Sequence, residues 1–119
     1  MSWNIDARVA VTIVEAVPDL GAATALLAES HLPDGIGPGE RPCAVFRANE
    51  LVAHPGDCAC CAGGQGAAAA SLAALFRERA MGGIWFSSVT ALVRTPEGRA
   101  ELEQALARDV LTAARFRRV

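Results

Sequence analysis

Residues 8–16 read RVAVTIVEA, a run dense in β-branched and apolar side chains. Such a run has no polar face to turn to water. It predicts a strand buried on both sides, the kind found inside a parallel sheet. Two later runs have the same character, PCAVFRA at 42–48 and IWFSSVTALV at 84–93.

Between the strands the pattern turns helical. Pro18 and Asp19 open the segment PDLGAATALLAES, with a proline in the first turn and an acid near the amino end. Leu20, Ala23 and Leu27 would form its apolar stripe. Residues 67–80, AAAASLAALFRERA, predict a second helix with Leu72, Leu75 and Phe76 inward and Arg77, Glu78 and Arg79 outward. Thr95 and Pro96 read as an N-cap and first helical position. Leu102, Ala105 and Leu106 mark the inner side of that third helix, and a short last helix is expected over 109–116. Residues 31–41, HLPDGIGPGER, form a loop on their proline and glycine content.

The order β-α-β-loop-α-β-α-α predicts an α/β chain. The expected architecture is a two- or three-layer sandwich on a mostly parallel, three-stranded sheet, with right-handed crossovers. Its 119 residues suit one domain. A thin sheet leaves two edges, so a homodimer or helical cover is expected.

Charge excludes some function classes. The net charge is −2, which gives no field for nucleic acid or an anionic membrane. Arg115, Arg117 and Arg118 read as a solvated helix end or tail. The start, MSWNIDARVAV, lacks a basic region and a long apolar core, so it is not a signal peptide. No apolar run reaches the ~20 residues of a membrane span. The expected location is cytoplasmic, where four cysteines argue against a disulfide framework.

Three of those cysteines, Cys58, Cys60 and Cys61, fall within HPGDCACCAGGQG at 54–66. In an extended Cys-x-Cys the two thiols can point to one side, and a following turn can bring the third to the same centre. Gly63, Gly64 and Gly66 permit close approach. A helix starting after residue 66 would favour thiolates. Thiolates select soft ions, so zinc is the expected metal, with one tetrahedral position left for water, His54, Asp57, Cys43 or a partner chain. The plain alternative is three thiols without a task. His54 and His31 read as loop histidines, and Cys43 as a core residue.

The strand and helix order together with Cys-x-Cys-Cys resembles the CobW-type GTPases, a P-loop metallochaperone family. VTIVEAVPDLGAATALL lies where that family has its first strand, phosphate loop and helix. AVFRANE is similar to its second strand ending in Asn-Glu, and DCACC to its metal motif, with Asp57 in place of glycine. ALARDVLTAARFRRV is similar to the segment before its next strand. The resemblance implies that residues 1–119 form the first half of a GTPase domain and that Cys58, Cys60 and Cys61 bind metal.

The departures from the family are concentrated in the nucleotide site. A phosphate loop needs G-x-x-x-x-G-K-[ST]. At 17–24 the chain reads VPDLGAAT, where Val17 and Ala22 replace glycines, Ala23 replaces the lysine, and only Thr24 is kept. Asp19 adds negative charge where phosphate would sit. The family's Glu-Thr-Thr-Gly is replaced by ALVRT, and the loop before the cysteines is shorter. No nucleotide and no GTPase activity are expected. Three functions follow: a non-catalytic zinc module, working in metal handling or with a full-length CobW-like partner; a pseudo-GTPase scaffold with vestigial cysteines; and a thiol redox protein using the Cys58–Cys61 spacing. Calorimetry with GTP and Mg²⁺ is expected to show no micromolar binding, and a micromolar isotherm would show that residues 17–24 are misread.

Overall fold

The computed structural model describes residues 7–37, 39, 41–48, 51–52 and 65–119. Strands β1 (Val9–Val14), β2 (Thr24–Glu29) and β3 (Cys43–Phe46) come first. A short ladder, β4 (Leu51–Val52) and β5 (Gln65–Gly66), precedes helix α1 (Ala67–Ala80). Strand β6 (Ser88–Leu92), helices α2 (Pro96–Arg108) and α3 (Val110–Arg115), and strand β7 (Phe116–Arg118) complete the chain.

Five strands form one sheet in the order β3-β2-β6-β1-β7, and every pair is parallel. The chain is therefore an α/β fold, as the strand and helix alternation predicts, but with five strands in place of three. From β1 through β2 to β3 the chain steps one way across the sheet, and through β6 to β7 it steps back. Right-handed crossovers put opposite steps on opposite faces. The packing agrees. On one face α1 and α2 cover Val9, Val11, Ala25, Leu27, Phe46, Val89 and Ala91. On the other, Leu26, Ala28 and Leu92 meet Leu20, Leu32 and Ile36 from the two loops.

The helix expected over PDLGAATALLAES is the largest correction: its second half is β2. Alanine, leucine and glutamate favour a helix by propensity. Tertiary burial overrides it, because β2 lies between β3 and β6 and has no wet face. Ala25, Leu26, Leu27 and Ala28 are all 0% exposed. A short apolar run buried on both sides carries no period that separates strand from helix. Residues 15–23 then connect β1 to β2 without a helix. They must return about 20 Å along a strand and about 10 Å across two strand spacings, which nearly extended chain of that length can span. The segment matched to a phosphate loop and helix is thus a loop and a strand.

The second correction is the carboxyl-terminal tail. Residues 116–118 are an edge strand paired with Val9–Val11. Phe116 is fully buried and meets Phe76 edge to face, with ring centres 5.8 Å apart. Arg115 lies over the Phe76 ring at 4.8 Å, and Arg118 pairs with Glu103 at 3.2 Å. A short, charged edge resists pairing with other chains. At the opposite edge the Ser71 hydroxyl donates to the Val45 carbonyl at 3.1 Å.

The other helices stand where the sequence places them, with Thr95 as N-cap of α2 accepting from the Gly98 amide at 3.0 Å. Arg79 is not simply solvated: its Nε donates to the Phe86 carbonyl at 2.7 Å and its guanidinium stacks on Trp85 at 4.4 Å. That contact ties the end of α1 to the entry of β6. No helix among the described residues is long and apolar enough to cross a membrane. Leu27→Ala, in the inner strand β2, is expected to cost about 2–5 kcal/mol in urea unfolding, the range for a buried leucine truncated without collapse.

Candidate functional site

Cys58, Cys60 and Cys61, with His54, Asp57, Asn49 and Glu50, lie outside the described residues. The base of their segment is described. Leu51 pairs with Gly66 and Val52 with Gln65 in an antiparallel ladder, so the described residues on either side of 53–64 are neighbours. Helix α1 begins at the next residue, Ala67, and its N-cap Gly66 makes no side-chain cap bond. The Ala68 amide donates instead to Glu101 Oε2 of α2 at 3.0 Å. The positive end of α1 is therefore already met by one carboxylate, which the sequence reading of thiolate stabilisation did not include.

Cys43 is separate from this base. It sits in β3 on the face away from α1, packed with the cluster around Leu26, Ala28 and Leu92. Burial raises its thiol pKa, and nearby Arg41 offsets this only in part. It is a half-buried thiol packed against that cluster. Among the described residues no group of three His, Cys, Asp or Glu side chains is placed to hold a metal.

The residues matched to a phosphate loop run from the carboxyl end of β1 to the amino end of β2. Thr24, the kept hydroxyl, shares a hydrogen bond with the Ser88 hydroxyl at 3.1 Å, where both strands begin. That is the wrong edge of a parallel sheet for phosphate, which binds at the carboxyl ends of strands. Arg41 closes this edge, its Nη1 donating to the carbonyls of Gly21 at 3.0 Å and Thr24 at 2.8 Å.

The carboxyl edge is organised by a residue of the segment expected to be helical. Glu29 ends β2 and is 2% exposed. Its Oε1 accepts from the amides of Arg94 at 2.7 Å and Thr95 at 3.0 Å, and its Oε2 from the Thr95 hydroxyl at 2.6 Å. Burial pushes its pKa up. The Thr95 hydroxyl, the two amides and the Arg94 charge push it down further, leaving it below the usual 4.5. Gly98 makes the fit possible, because a Cβ there would collide with the Glu29 carboxylate. The signal was an acid closing an apolar run, and a glycine in the first turn of a helix.

Arg94 belongs to the same cluster. Its Nε donates to the Glu29 carbonyl at 2.9 Å and its Nη2 to the His31 carbonyl at 3.1 Å. Beside it Arg99 reaches Glu15 at 3.8 Å and Glu103 at 3.4 Å. Glu15, Arg94, Thr95, Pro96 and Arg99 line an open cleft of about 570 Å³ at this edge.

A scan against protein-family models and searches of the curated proteins and of the solved structures find no match to this chain.

Glu29 has its pKa lowered by folding, so its contribution to stability is present above its unfolded pKa near 4.5 and is lost as pH falls through its folded value. Glu29→Gln is expected to remove that part of the acid destabilisation. Glu29→Ala, which strands three donors, is expected to cost about 1–3 kcal/mol at neutral pH. Gly98→Ala is expected to cost about the same by overpacking. Urea unfolding of the three variants between neutral and acid pH measures all of this.

Proposed function

We propose that this chain is a non-catalytic metal-binding module. Cys58, Cys60 and Cys61 hold one thiophilic divalent ion, zinc first, for metal handling or for transfer with a full-length CobW-like protein. What supports this reading is a sequence with three thiols in residues 53–64, flanked by residues that pair in the β4–β5 ladder. Loop closure is already achieved by that ladder, so a metal need not supply all of its entropy. Three thiolates and one exchangeable position suit a protein that passes its ion on.

Two features support a role without nucleotide. Residues 17–24 lead into a strand, not a helix, so no amide cradle follows β1. The first amides of the β6–α2 turn are taken by Glu29. A second reading, a scaffold with vestigial cysteines, is favoured by exposed Met81 and Trp85 in the segment that follows α1, 79% and 64% exposed. Large apolar side chains left in water often anchor a partner.

Elemental analysis of untagged protein, purified reduced and without chelator, separates the two. The metal module predicts about one zinc per chain, lost in Cys58→Ser and Cys60→Ser. A protein that is metal-free and takes up no added zinc supports the scaffold instead.

A further inference from the structure

Strands β6 and β1 are neighbours, yet the chain leaves their carboxyl ends towards opposite faces of the sheet. β6 continues into α2 on the helical face, and β1 into residues 15–23 on the other. Parallel strands that part in this way open a crevice, which is where open α/β sheets take their ligands. Here the crevice is the cleft bounded by Glu15, Arg94, Thr95 and Arg99. A second cleft of about 300 Å³ adjoins it through Glu15 and Arg94. Volumes in this range hold small molecules.

We propose that this cleft binds a small zwitterionic amino acid, its carboxylate between Arg94 and Arg99 and its ammonium on Glu15. The Arg94 guanidinium is fixed in place by two backbone carbonyls, which leaves three of its five donors for a ligand. Arg99 is half exposed and holds Glu15 only loosely, at 3.8 Å, so a closer carboxylate displaces that contact. Planar guanidinium forks match a planar carboxylate.

Charge and amide supply decide against phosphate. The buried carboxylate of Glu29 lies behind Arg94 and occupies the Arg94 and Thr95 amides. Pro96 has no amide hydrogen, and the Gly98 amide is bonded to the Thr95 hydroxyl. With these amides taken, the turn offers no run of adjacent free amides to cradle a tetrahedral dianion. The two guanidinium charges are offset by Glu29 and Glu15, and Glu103 is shared between Arg99 and Arg118. A site with balanced charge and both signs on its walls fits a neutral zwitterion.

The test is an amide NMR titration of the full chain with L-serine, acetate and inorganic phosphate as probes. L-serine is expected to shift residues 15 and 94–99 to saturation, about tenfold tighter than either acetate or phosphate. Arg99→Gln, a half-exposed position, is expected to weaken L-serine about tenfold with the remaining spectrum unchanged. Glu15→Gln, at a carboxylate 79% exposed, is expected to abolish the preference for serine over acetate while acetate still binds. Three results would overturn the proposal: no saturable shifts with serine, phosphate binding as tightly as serine, or unchanged serine affinity in Arg99→Gln.

Discussion

A carboxylate can be buried only where donors are waiting for it, and Glu29 is met by three from the single turn that joins β6 to α2. This requirement fixes several things together. It sets how far β2 runs past β6, since the acid must reach Arg94 and Thr95. It sets the start of α2, because Thr95 gives its hydroxyl hydrogen to Glu29 and its oxygen to the Gly98 amide. It forbids any side chain at position 98. Through Arg94 it also holds the chain at His31 as it leaves the sheet. Buried, fully bonded carboxylates of this kind are costly to disturb, because each lost partner leaves another group unsatisfied.

What the sequence makes legible is what carries its own period or cap. The stripe Leu72, Leu75, Phe76 and the Thr95-Pro96 start place α1 and α2 closely. The β-branched run at 8–16 places β1. TALLAE at 24–29 fails because its helix propensity is real and its strand character is not local: it exists only once β3 and β6 lie on either side. FRR at 116–118 fails for a related reason. Three residues have no period, and what makes them a strand is Phe116 filling the space beside Phe76. Glu29 stayed hidden because its role depends on residues 94, 95 and 98, which are distant in sequence. The cysteine spacing was legible as chemistry, while the ladder that gathers its ends is a tertiary fact.

The direction of the crossovers explains why the starts of α1 and α2 gather at one edge. Helix α1 must carry the chain from the carboxyl edge back to the start of β6, so its amino end stands at the carboxyl edge. The β4–β5 ladder, which opens into α1, stands there too. α2 begins at the same edge, which is how Glu101 reaches the Ala68 amide. The β4–β5 ladder, buried acid and cleft thus share the edge that an α/β sheet offers to ligands.

That shared edge bears on the resemblance to CobW-type GTPases. A phosphate loop works because glycine-freed amides at a helix start face an empty, positively polarised space. Here the corresponding stretch after β1 crosses to the opposite edge and delivers Thr24 to Ser88. The helix start beside β6 is filled by the chain's own carboxylate. The two glycines and the lysine of such a loop are therefore not something a few substitutions would supply. The backbone that would present them takes another path, and the amides nearest that place already hold an anion.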